Sequence, residues 1–188
     1  MAQATLSNFK TALEFGGARP SLFDIEIKLS TGLTALAGVS PVTNIVSHCN
    51  VSAIPPLTVT PIENQYFGRT VKIPGDIVYG DLTTTILNTE DYSIRNAIET
   101  WMNHINSHAD NKTSANFADT DWRSTAELTQ YGKDGSPLQT YTFFDIWPMT
   151  LAEIALSYDT ASDLEQFDVT WAYNYYSHTS DEYDWDLT

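Results

Sequence analysis

His104 and His108 stand four residues apart with Asp110 just beyond, a spacing at which two imidazoles on one helical face could share a metal ion. No glutamate follows His104, as a zinc-protease helix requires, and both histidines fall on the polar stripe of the helix read below, so they are expected to be solvated surface residues. Cys49 is the single cysteine, which excludes an intramolecular disulfide and a multi-cysteine zinc cluster; a lone thiol here reads as a small buried hydrophobe. Carboxylates are plentiful, but among 24 acidic residues close pairs arise by chance, and glycosidase chemistry depends on a separation in space. Neither a Gly-x-Gly-x-x-Gly or Walker loop nor a Gly-x-Ser-x-Gly elbow is present. No catalytic residue, cofactor or metal is therefore expected, and the Asn-x-Ser/Thr triplets at Asn50 and Asn111 are read as chance matches.

The frame that must carry any other function is a single domain, since 188 residues match the usual size of one globular unit and 42 % hydrophobic residues supply a core. A formal charge of −15 repels phosphate, which argues against tight nucleic-acid binding. The first residues lack the basic stretch and apolar run of a secretory signal, and no run of apolar residues is long enough to span a bilayer, so the chain is expected to be cytoplasmic when made.

Period-2 alternation dominates the sequence and predicts a mostly β fold. Phe23, Ile25, Ile27 and Leu29 alternate with Asp24, Glu26 and Lys28 in a first strand. A second is predicted from Asn44 to Ala53, stopped by Pro55-Pro56, and a long connection runs from there to Arg69. Thr70–Ile73 and Leu82–Leu87 read as neighbouring strands joined by a turn-rich link. From Asp91 to Asn106 the period changes: Ile94, Ala97, Ile98, Trp101, Met102 and Ile105 recur at helical spacing after a capping stretch, Asn88 to Asp91. Residues 107–122 form a polar loop. Two antiparallel strands then flank the turn Lys133-Asp134-Gly135-Ser136, the second ending at Pro148. A short strand is expected over Ile154–Tyr158, a last one carries Phe167, Val169, Trp171, Tyr173 and Tyr175 on one face, and residues 177–188 form an acidic tail after a domain of residues 1–176. About eight strands and one helix make an antiparallel β-sandwich or barrel with one flanking α-helix.

Beyond Lys133 there is no Lys or Arg, while acids continue to the end of the chain. Such a region favours solubility, or forms a surface past which an anion must slide without sticking.

Three stretches together resemble the tail tube protein of contractile-tailed (myovirus-type) bacteriophages: Ala18-Arg19-Pro20-Ser21-Leu22-Phe23; Ser47 to Pro55 followed by a loop and Gly68-Arg69-Thr70-Val71-Lys72-Ile73-Pro74-Gly75-Asp76; and Ile146-Trp147-Pro148-Met149 through Asp159 with Phe167 to Tyr176. Thr84-Thr85-Ile86-Leu87-Asn88 and the helix around Trp101 lie between them in the family's order. The resemblance spans residues 18–176, and the chain departs from the pattern in a longer Ser30–Thr43 link, the polar loop after the helix and the tail after Tyr176. It implies hexameric rings of this chain, stacked helically into a hollow tube of the virion tail around a tape-measure protein, with tail sheath, baseplate and tail-terminator proteins as partners. DNA would pass through without specific binding, no membrane would be involved, and subunits would wait in the host cytoplasm before assembly.

On this reading the apolar residues of the 55–69 connection, Leu57, Val59, Ile62, Tyr66 and Phe67, together with Arg69, are expected at inter-subunit contacts. Asp24, Glu26, Asp145, Glu165 and Asp168, on polar strand faces, are candidates for an acidic lumen. Two other readings remain open: a related ring protein, either a baseplate-end tube initiator or a bacterial secretion-system inner tube, and a soluble β-sandwich glycan-binding module using the 12 % aromatic residues.

Overall fold

A computed structural model describes residues 17–36, 44–46, 49–113, 122–157 and 164–179. Its elements are β1 (Phe23–Lys28), α1 (Thr31–Thr34), β2 (Asn44–Val46), β3 (Cys49–Ser52), β4 (Leu57–Tyr66), β5 (Arg69–Tyr79), β6 (Leu82–Leu87), α2 (Ser93–Ile105), β7 (Ser124–Tyr131), β8 (Pro137–Leu151), β9 (Gln166–Ala172) and β10 (Tyr175–His178). Eight strands form one antiparallel arrangement in the order β2-β1-β7-β8-β9-β6-β3, with β10 also on β8, while β4 and β5 pair only with each other.

The long strand β8 turns the arrangement into a sandwich. Its first half pairs with β7 and β10, and its second half pairs with β9. The turn falls at Asp145, whose φ of 57° lies in the left-handed region that non-glycine residues rarely occupy. Its carboxylate holds the corner, taking an ion pair from Arg123 at 3.2 Å and a hydrogen bond from Asn174 Nδ2 at 2.7 Å.

Alternation delivers the core. Ile25 and Ile27 of β1, Ala126 and Leu128 of β7, Phe143 and Ile146 of β8, Phe167, Val169 and Trp171 of β9, and Leu82 and Ile86 of β6 are all buried in one cluster. On the apolar stripe of α2, Ile94, Ala97, Ile98 and Trp101 are buried; Ile94, Ile98 and Trp101 pack into the same cluster, and the Trp101 and Trp171 rings lie 5.8 Å apart. Each indole N–H is satisfied: Trp101 Nε1 donates to the Trp122 carbonyl at 2.7 Å and Trp171 Nε1 to Thr84 Oγ1 at 2.8 Å. That bond explains a threonine at a fully buried position of β6.

Several elements differ from the sequence expectation. The strand expected from Asn44 to Ala53 is two, β2 on β1 and β3 on β6, on different sheets. The long connection after Pro56 is itself β4, and its partner is β5. Thr70–Ile73 and Leu82–Leu87 are consequently not neighbours: β6 lies between β3 and β9. Pro148 does not end β8, because it sits opposite Trp171 next to a register shift, where the ladder needs no donor. Residues 152–157 form no strand, and Tyr158 lies outside the described residues. The last strand breaks at Tyr173 and Asn174, opposite the corner in β8.

Around α2 the capping stretch acts one residue early. Asp91 accepts from Thr89 Oγ1 and from the Ser93 N–H at 3.3 Å, while Tyr92, at φ 53°, occupies the cap position with no side-chain bond. The Thr89 hydroxyl and then the Ser93 N–H hold the Asp91 carboxyl below its ordinary pKa. In the 30–43 link, Ser30 caps α1 through the Leu33 N–H and Leu33 is buried; 37–43 lie outside the described residues. So do 114–121 of the polar loop and 180–188 of the acidic tail. Ser177 and His178 still belong to β10, opposite Thr142 and Tyr141.

Candidate assembly interface

The hairpin β4–β5 stands off the sandwich with nearly every residue exposed. Leu57 is 50 % exposed, Val59 48 %, Ile62 58 %, Tyr66 67 % and Phe67 90 %. Val71, Ile73, Ile77 and Val78 of β5 are exposed with them. An apolar surface this extended on an isolated two-stranded ribbon is unfavourable in water and marks a contact surface.

Local chemistry explains how the ribbon holds its shape alone. Phe67 and Gly68, at φ 47° and 75°, form a two-residue turn with both central residues left-handed, the geometry whose twist matches the strands. Glycine fits that conformation, but an aromatic residue there costs of order 1 kcal/mol or more. The Phe67 ring is held edge-on to Tyr66, with centroids 4.6 Å apart, and projects from the tip. Midway, the register shifts between Val59 and Pro61, where Pro61 faces Pro74. Gly75 is required at this bulge, since a Cβ would come within 2.6 Å of the Thr60 carbonyl oxygen.

The root is tied to the body. The Gly80 N–H donates to the Pro56 carbonyl at 2.9 Å, and Tyr173 Oη donates to the Gly80 carbonyl at 2.7 Å. The Tyr79 ring packs edge-on against Tyr173 and Tyr176 at 6.1 and 5.4 Å, joining an aromatic cluster with Phe143 and Tyr141. Burial raises the Tyr173 hydroxyl well above its ordinary pKa, so it remains a donor at any physiological pH.

The structure thus brings Leu57, Val59, Ile62, Tyr66, Phe67 and Arg69 together on one arm. Sequence reasoning missed the other half, Val71, Ile73, Ile77 and Val78, because β5 was matched to the wrong neighbour. The available signal was the Phe67-Gly68 step between two runs of similar alternation.

The five acidic candidates do not converge. Asp24 and Glu26 lie on the outward face of β1, where Glu26 stands opposite Glu127 and Lys28 Nζ meets Glu127 Oε1 at 2.5 Å. Asp168 faces outward from β9, on the other sheet, and accepts from Thr85 Oγ1 at 2.6 Å. Asp145 is engaged at the corner. Glu165 is half-buried and staples the entrance of α2, accepting from Asn88 Nδ2 at 2.6 Å and from the Tyr92 hydroxyl at 3.0 Å. That bond to Glu165 raises the Tyr92 pKa.

Nor do the candidate metal ligands share a helical face: α2 ends at Ile105, which leaves His104 in its last turn and His108 in the turn beyond, its N–H bonded to Asn103 Oδ1 at 2.9 Å. Among the described residues no three His, Cys, Asp or Glu side chains group as a metal site. Cys49 is half-buried, packs against the core and donates to the Val51 carbonyl at 3.1 Å; burial pushes its thiol up to about 11.

This fold is shared with chains of contractile injection systems. The chain overlays a subunit of the extracellular contractile injection system PVC sheath–tube complex in the extended state, with a TM-score of 0.57 at 14 % identity over 94 % of this chain and 98 % of the other. It also matches a chain of the PVC sheath/tube terminator (TM-score 0.61, 13 % identity, 87 % and 97 % covered). A chain of the anti-feeding prophage baseplate gives 0.60 at 8 % identity, covering 86 % and 95 %.

Sequence comparison carries this from fold to family. The family model described as phage tail tube protein matches residues 18–179, and the chain belongs to that family. It is 24 % identical over 160 residues to tail tube protein gp19 of Enterobacteria phage T4, covering 85 % of this chain and 90 % of the relative, and equally to gp19 of phage T6. The protein is a structural subunit of a phage tail tube.

Proposed function

We propose that this subunit closes into rings of six that stack around a tape-measure protein into a DNA conduit, clad by the tail sheath and ended by baseplate and terminator proteins. The observation that carries the reading is the free hairpin in a tail-tube fold: an arm too apolar for a free monomer, of a size that a neighbouring copy can cover. The main tube, rather than an end piece, is favoured by the two relatives of phages T4 and T6, both of which are tail tube proteins. Subunits would wait in the host cytoplasm and function in the virion tail.

Six copies at −15 each carry about −90, so apolar and hydrogen-bonded contacts must outweigh repulsion, which salt screens beyond about 8 Å. The same excess suits passage of DNA, whose phosphates a basic wall would retard. Electron microscopy of the purified protein tests the reading. Long uniform tubes are expected; isolated rings would identify an end-specific relative, and monomers that bind glycans a sandwich binding module.

The acidic wall has its own test, because Asp24 and Glu26 lie on one sheet and Asp168 on the other. With Asp24 and Glu26 exchanged for Lys in one variant and Asp168 in another, the variant whose sheet faces the lumen should build tubes of normal length yet slow genome ejection. Unchanged ejection in both would defeat the electrostatic account.

A further inference from the structure

Lys28, Lys72, Arg95, Lys112 and Arg123 are ion-paired to carboxylates, whereas Arg19, Arg69 and Lys133 have no ion-pair partner among the described residues. Arg69 stands on the hairpin; the other two line one cavity of about 440 Å³ at the turn between β7 and β8. Tyr131 and Leu138, the latter 51 % exposed, give that cavity an apolar wall. The turn is held by its own bonds. The Gly132 N–H donates to the Ser136 carbonyl at 2.8 Å, and the Gly135 N–H to the Gly132 carbonyl at 3.0 Å. Asp134, the carboxylate of the lining, is engaged by Ser136, accepting from its N–H at 3.2 Å and its hydroxyl at 2.7 Å. Two unpaired cations beside an exposed apolar wall fit an acidic segment that also carries aromatic side chains.

The chain carries such a segment, and it begins close to this cavity. Beyond Thr179 the sequence reads Ser180-Asp181-Glu182-Tyr183-Asp184-Trp185-Asp186-Leu187-Thr188, four acids and no base, with Tyr183, Trp185 and Leu187 alternating with Asp184 and Asp186. The match to the family stops at residue 179, so the segment lies outside what this chain shares with it. Thr179 is pinned to β8: its N–H donates to the Thr140 carbonyl at 3.1 Å and its Oγ1 accepts from the Thr140 N–H at 3.0 Å. Leu138 is only about 7 Å from Thr140 along β8, and residues 180–188 span about 30 Å when extended, so the segment reaches the cavity with length to spare. We propose that residues 180–188 dock in this cavity of their own chain, with Asp184 and Asp186 paired to Arg19 and Lys133 and with Trp185 laid on Tyr131 and Leu138. A tether this short keeps the segment at a high effective concentration, which favours the same chain over a neighbouring copy as its source. The docked segment belongs to the single subunit and requires no ring.

The test joins the two partners covalently. Leu138→Cys/Trp185→Cys in a Cys49→Ser background, oxidised mildly at high dilution, is expected to form a disulfide within one chain, seen as a shifted monomer band on a non-reducing gel. Reversing the cations with Arg19→Glu/Lys133→Glu should lower the yield about fivefold, the effect of losing two exposed ion pairs. Adding Asp184→Lys/Asp186→Lys to that variant should restore it. Raising NaCl from about 0.05 to about 1 M, which shortens the screening length to about 3 Å, should lower the yield as the reversal does. A second measurement needs no introduced cysteine. Backbone amides of residues 181–188 should exchange hydrogen more slowly in wild-type protein than in Arg19→Glu/Lys133→Glu, while the urea midpoints of the two stay alike. A disulfide formed between chains instead of within one, a yield indifferent to the charge reversal, or equal exchange in both proteins would overturn the proposal, and each leaves the tube reading untouched.

Discussion

β9 and the first half of β4 alternate apolar and polar residues in the same way and end in opposite environments. Phe167, Val169 and Trp171 of β9 are 2 %, 0 % and 0 % exposed, whereas Leu57 and Val59 of β4 remain about half exposed. The strands differ in what surrounds them. β9 lies between β8 and β6 with α2 packed over its inner face, so both edges are hydrogen-bonded and one face is covered. β4 has β5 alone, and a two-stranded ribbon has no inner face to cover. The same sequence pattern therefore leads to intramolecular burial in one region and to an exposed apolar surface in the other. On the proposed function the sandwich carries the stability of the subunit and the arm its contacts with other copies.

That division can be broken by substitutions that should affect one region only. The largest effect is expected at the tip: Tyr66→Ser/Phe67→Ser should abolish polymerisation while leaving the urea midpoint close to wild type, as exposed sites shift stability by about 0.5 kcal/mol or less. Tubes of wild-type length from this variant would remove the tip from the interface. The converse is Trp101→Ala, which should cost about 3–5 kcal/mol of folding stability in denaturant melts, because it empties the packing against Trp171 and leaves the Trp122 carbonyl without its donor. A loss under about 1 kcal/mol would mean that α2 is not a structural plug.

A smaller effect within the core sharpens the contrast. Thr84→Val keeps the shape of β6 but strands the buried Trp171 indole N–H, so a loss of about 1–3 kcal/mol is expected, with tube formation retained at temperatures where the variant is folded. The smallest effect is chemical. With its thiol raised to about 11, Cys49 is almost wholly protonated at pH 8, so alkylation of the folded protein should be slow and should climb about tenfold per pH unit through pH 9.5. A rate that levels off near pH 8.5 would show Cys49 to be solvent-like and β3 to be open.

Alternation and helical period told which residues point inward, because both follow from backbone geometry within a few residues. Ile25, Ile27, Phe167, Val169, Trp171 and, on α2, Ile94, Ile98 and Trp101 could be read as core on that basis and lie in it, while Phe23, Leu29, Met102 and Ile105 are only partly buried against it. The order of motifs likewise pointed to the tail-tube family. Pairing was beyond that reach. A period of two fixes a strand's faces and is silent on its neighbour, so the Leu57–Tyr66 segment passed for a loop, Thr70–Ile73 was matched to β6, and Asn44–Ala53 was read as one strand where the structure divides it between two sheets. Pro148 stays inside β8 only because a register shift opposite Trp171 relieves it of a donor, a condition set by β9, some twenty residues later. The roles of Asp145 and Glu165 were decided in the same way, by Arg123, Asn174, Asn88 and Tyr92, groups brought to them across the chain. Local sequence sets what a residue prefers to do; which partner lets it do so is a free-energy balance over contacts distant in the chain, and only the folded sandwich strikes it.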